Sequence, residues 1–79
     1  MIFLIEYNRN EGRIVTIRSF SDSERDNAEE SRLKLELDLN QKGIDDEVVL
    51  LEAFSEEALR RTHRRYFENL SELATVPNH

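Results

Sequence analysis

The chain has 79 residues, with 11 Lys and Arg against 17 Asp and Glu, for a formal charge of −6. A single domain of this length buries only roughly 60–65% of its unfolded surface, so its core is small. There are no cysteines, which excludes a disulfide scaffold, a thiolate nucleophile, a Cys-bound zinc and an iron–sulfur cluster.

Residues 2–7, Ile-Phe-Leu-Ile-Glu-Tyr, read as a strand: the run is short, β-branched and aromatic, and apolar on both faces. Asn-Arg-Asn-Glu-Gly at 8–12 is turn chemistry, because Asn and Gly tolerate the positive φ of a tight turn. Residues 13–18, Arg-Ile-Val-Thr-Ile-Arg, form the returning strand of an N-terminal hairpin. Ser21-Asp22-Ser23-Glu24 is a capping box, and Lys42-Gly43 is a helix exit, so a helix is predicted over about 22–41. Leu33, Leu35, Leu37 and Leu39 alternate with polar residues at a strand-like period of two. The residue types are nonetheless helix formers, with no β-branched side chain between 21 and 43. On a helical wheel Ala28, Leu35 and Leu39 then share one side, and Leu33 and Leu37 lie nearly opposite.

Ile44-Asp45-Asp46 is a connection, and 47–53 is a third strand, again apolar on both faces. Ser55 is a good N-cap for a second helix over about 55–74. Its apolar arc holds Leu59, His63, Tyr66, Phe67, Leu70, Leu73 and Ala74, with Arg60, Arg61, Arg64 and Arg65 opposite. The expected architecture is α+β, in the order β-β-α-β-α. A three-stranded, mainly antiparallel sheet with the first strand in the middle carries both helices on one face. That face comprises Phe3, Ile5, Tyr7, Val15, Ile17, Val49 and Leu51. Residues 1–74 are read as one domain and 75–79 as a fraying tail.

The other sheet face would then hold Ile2, Leu4, Ile14, Val48 and Leu50, a large apolar patch to leave bare. Either one helix covers it or another chain does. Leu33 and Leu37 make a similar demand on the first helix. Leu4, Ile14, Leu50, Leu33 and Leu37 are therefore the candidate interaction residues, and a homodimer is expected, with any further protein partner unspecified.

Arg60, Arg61, Arg64 and Arg65 are a candidate anion-binding face, since guanidinium groups clamp phosphate. Acids at helical spacing offer the same arginines intrahelical pairs: Glu56 and Glu57 precede Arg60 and Arg61, and Glu68 follows Arg64. With the acidic charge, this makes nucleic-acid or phosphate-ligand binding the alternative reading. His63, central in the apolar arc, reads as a core histidine before it reads as an acid–base catalyst. Asp45-Asp46-Glu47 and Glu29-Glu30 read as solvated acidic segments, without the alternating ligands and glycine of a calcium loop. No GxxxxGK[ST] or GxGxxG cradle is present. No enzyme, cofactor or metal site is expected. The N-terminal apolar run meets Glu6 at once and lacks a basic flank, and no run approaches a membrane span, so the expected address is the cytoplasm. The function expected is that of a non-enzymatic, self-associating protein–protein interaction module.

Overall fold

The computed structural model describes residues 1–67. Strand β1, Ile2–Asn8, and strand β2, Arg13–Phe20, form the expected antiparallel hairpin, with Asn8 opposite Arg13 and Ile2 opposite Phe20. The turn is closed by Asn8: its carbonyl accepts from the Gly12 amide at 2.8 Å, and its Oδ1 accepts from the Glu11 amide at 2.7 Å. Gly12 sits at φ +66°, where a side chain would be strained.

Ser21 opens the first helical segment. Its amide donates to Glu24 Oε1 at 3.0 Å, the reach-back half of the capping box. That bond, helped by the Ser21 hydroxyl, holds the Glu24 carboxyl below its usual range. A 3₁₀ turn, Asp22–Glu24, leads into helix α1, Arg25–Lys42. The helix ends where expected. Gly43 takes φ +70°, its amide donates to the Asn40 carbonyl at 3.2 Å, and the Ile44 amide donates to Leu39 at 2.9 Å, which is a Schellman cap. The period-two leucines are thus helical, and Leu33 and Leu37 remain 52% and 63% exposed.

Strand β3, Glu47–Glu52, pairs antiparallel with β1, so the sheet order is β2-β1-β3 with β1 in the centre. Helix α2, Glu56–Thr62, starts at Ser55, whose hydroxyl accepts from the Ala58 amide at 3.1 Å. The expected helix over 55–74 is broken early. His63 leaves helical geometry at φ −126° and ψ 52°, and a 3₁₀ turn, Arg64–Tyr66, follows. The Thr62 hydroxyl bonds back to the Ala58 carbonyl at 3.0 Å, as Ser and Thr do where helices bend. Beyond the break, Tyr66 is held by strand residues rather than by a helix. The remainder of that prediction, 68–74, and the tail at 75–79 lie outside the described residues.

A second correction concerns the faces. The two helices cover opposite sides of the sheet. Ala28 and Leu35 of α1 pack with Ile2, Leu4, Phe20, Val48 and Leu50. Leu59 of α2 and Tyr66 pack with Phe3, Ile5, Tyr7, Ile17, Val49 and Leu51. The cause lies in β1, where Ile2 through Tyr7 are all buried. Alternate residues of a strand point to opposite faces, so this strand needs cover on both.

A third correction is Ile14. The hairpin register shifts between Glu6 and Tyr7, so that Thr16 faces Glu6 but Ile14 faces Tyr7. One residue of β2, Val15, is the extra member of this bulge. It is exposed, and Ile14 swings to the α2 face.

Candidate functional site

The two edges of the sheet are unlike each other. On β2 the bulge interrupts the ladder, and Arg13 and Arg18 add charge. Such features blunt an edge against pairing. On β3 the pairing to β1 is regular, and Val48-Val49-Leu50-Leu51 run consecutively, all half-buried. The ladder fixes which way each β3 residue turns its backbone. The Ala53 amide donates to the Met1 carbonyl at 3.1 Å, and the Met1 amino group donates to the Ala53 carbonyl at 2.9 Å. In an antiparallel ladder such bonded pairs alternate, so Leu51, Val49 and Glu47 turn inward toward β1. Val48, Leu50 and Glu52 turn their N–H and C=O groups outward. Among the described residues no strand pairs that side.

Helix α1 lies over β1 and β3 and flanks this edge. Arg25 forms an ion pair with Glu52, while Glu36 lines a shallow cleft with Val48, Asp46 and Ile44. Arg32 Nη1 reaches Glu36 Oε1 at 3.0 Å. The other flank, with Ser31, Lys34 and Asp38, overlooks Thr16 and Arg18 of β2.

A polar cluster occupies the α2 face at the Glu47 end of β3. The Tyr66 hydroxyl donates to Glu47 Oε2 at 2.6 Å, and Arg65 and Arg9 approach Oε1 at 3.2 and 3.4 Å. The Tyr66 ring meets Tyr7 edge-on at 5.1 Å, and the Arg65 guanidinium lies 4.7 Å above the Tyr66 ring. The Tyr66 hydrogen bond, with the two arginines, holds the Glu47 carboxyl below its usual range. Burial, followed by the Glu47 carboxylate, pushes the Tyr66 phenol up. Glu47 is thus no solvated turn residue, contrary to expectation. The available hint was its position at the start of a strand, able to sit opposite an aromatic.

The α1 face carries a different carboxylate. Glu6 is only 7% exposed. A hydrogen bond to Asp46, then burial, raises its pKa, while the Thr16 hydroxyl at 3.4 Å offsets part of this.

The expected interaction residues separate. Leu4 is buried beneath α1, and Leu50 is half-buried in the same cluster. Ile14 packs on the opposite face. The bare apolar sheet face is therefore covered from within by α1. Leu33 and Leu37 alone of the five are exposed. Phe54, 97% exposed just past β3, was not singled out in the sequence. In the arginine group, Arg60 binds Glu56 at 3.1 Å and stacks 4.7 Å over Phe67; Arg61 binds Glu57 at 3.2 Å. Arg65 serves Glu47, and Arg64 also has a partner. His63 is half-buried at the helix break. Among the described residues no group of acids or histidines is arranged to hold a metal, and no helix is long and apolar enough to cross a membrane. Comparisons of the chain with family models, with curated proteins and with solved structures found no match, so its two unlike edges and its salt-bridged arginines must be read on their own chemistry.

Proposed function

We propose that the chain is a small, cytoplasmic, non-enzymatic module that works by protein–protein contact and associates with itself. The observation that carries this reading is the β3 edge: an aliphatic, regular strand whose outward amides have no partner strand among the described residues. Leu33, Leu37 and Phe54 add exposed apolar area in a chain with little core to spare. The arginine group supports the same choice. Arg60, Arg61 and Arg65 are each engaged by a carboxylate of the chain, so an incoming phosphate has to compete for them. Mass measured by light scattering on a sizing column, across a range of concentrations, tests the proposal. Twice the chain mass of 9.4 kDa is expected. A constant single-chain mass at every concentration overturns it.

A further inference from the structure

We propose that the partner is a second copy of this chain, added antiparallel across β3 with Leu50 on the twofold axis, so that two sheets become one of six strands. This rests on the self-association reading above and specifies its geometry. Three observations converge on it.

The first is the backbone. Val48, Leu50 and Glu52 turn their amides outward, and an antiparallel copy centred on Leu50 sets Val48 opposite Glu52 and Leu50 opposite itself. Every outward donor and acceptor of the strand then meets its complement.

The second is spacing. Helix α1 is seated over both β1 and β3, through Ala28 and Leu35 on Ile2, Leu4, Val48 and Leu50. A twofold axis normal to the sheet keeps both α1 helices on one face. Their axes then stand about two strand spacings apart, roughly 10 Å, which is the ordinary distance for packed helices.

The third is charge. The α1 flank on the β3 side carries Arg25, Glu29, Arg32 and Glu36 in turn. Arg25 marks the level of Glu52, and Glu36 marks the level of Val48. The midpoint of this flank therefore stands level with Leu50, the same centre that the strand requires. A twofold copy sets Arg25 against the mate's Glu36 and Glu29 against its Arg32, so every charge faces its opposite. The β2 edge, with its bulge and its two arginines, has no such symmetry.

The test is Val48→Pro. Proline removes an amide that faces the mate, not β1, and an edge strand tolerates it. The expected product keeps its circular dichroism and has single-chain mass. A folded Val48→Pro that remains dimeric overturns the β3 geometry and leaves self-association standing, whereas a monomeric wild type overturns both. Leu50→Cys gives an independent check in a chain with no other cysteine. Bonded antiparallel pairs stand about 5.5 Å apart at Cα, within disulfide reach. Mild oxidation is expected to yield a covalent dimer, and failure to form one while the variant is dimeric overturns the register. Arg32→Glu is expected to weaken the dimer about tenfold by setting like charges together at two symmetric places. Adding Glu29→Arg should restore it. A wild type whose outward β3 amides are protected from exchange only by some other protein shows a different occupant and overturns the second-copy proposal.

Discussion

Glu6 and Glu47 stand on neighbouring rungs at one end of the sheet, on opposite faces. Both are largely withdrawn from water: Glu6 is 7% exposed, and the Glu47 side chain 18%. Burial alone pushes any carboxyl toward its neutral form. Yet their shifts have opposite sign, Glu6 upward and Glu47 downward. The difference lies in the company each keeps. Glu6 meets Asp46, with Asp38 beyond. Glu47 meets a phenol and two arginines. Partner chemistry outweighs desolvation at Glu47 and adds to it at Glu6. The two faces are therefore held differently, one by aliphatic residues and Phe20 with a buried acid at a cost, the other by a leucine and an aromatic anchored to an acid at a gain.

The harshest break of this comparison is Leu59→Ala, which empties a fully buried site on the α2 face. A loss of about 2–5 kcal/mol is expected from urea unfolding, against a total of roughly 4–12 kcal/mol for a chain of this size. A loss as small as that of a surface leucine would show that α2 does not seal this face. Tyr66→Phe keeps the ring but deletes the donor to Glu47, and about 1–2 kcal/mol should go.

Glu6→Gln should act in the other direction, gaining about 1 kcal/mol at pH 7 by removing a buried charge beside another acid. The pH dependence sharpens the contrast. A raised native pKa means that the folded chain binds the Glu6 proton first, so stability rises as pH falls through that pKa toward the reference value of 4.5. The Glu47 contribution is present above 4.5 and is lost as pH falls through its lower native pKa. Stability measured against pH should thus climb in mild acid and then fall. Glu6→Gln should remove the climb and spare the fall, and an unchanged profile would refute the assignment. The smallest effect belongs to Leu37→Ser, which should change monomer stability by no more than about 0.5 kcal/mol, because that side chain is mostly exposed and belongs to neither core cluster.

Much of the fold was legible because local chemistry and long-range need agreed. The hairpin turn required Gly12, the first helix carried its own start at Ser21 and its own stop at Gly43, and each was found in place. The faces were not legible. A stripe of apolar residues states that a helix buries something, without stating which side of a sheet it lies on. Ile14 lies on the α2 face rather than the expected one for a sharper reason. A single bulged residue reverses the alternation of everything beyond it, and nothing in Ile-Val-Thr-Ile marks where the extra residue falls. The second helix ends before its apolar pattern does: the arc continues past His63, but the backbone leaves helical geometry there and Tyr66 finds its partners on the sheet. As for the candidate site, Leu33 and Leu37 were visible as surplus leucines. That β3 is an edge follows from placing the first strand in the middle of three, but which of its residues turn their amides outward was not legible, since that depends on the register with β1.

Placing β1 at the centre has a consequence for how the chain reaches its native state. Its pairing with β2 closes a four-residue turn and costs little loop entropy, while its pairing with β3 must bring Glu47 back to Tyr7 across the hairpin and all of α1. The hairpin is therefore expected to form in the folding nucleus and β3 to dock late. Ile17→Ala should slow folding, and Val49→Ala should mainly hasten unfolding, a split that the two arms of a chevron plot resolve. Until β3 arrives, the most apolar strand of the molecule has an open side. In that interval the chain is most exposed to pairing with the wrong strand.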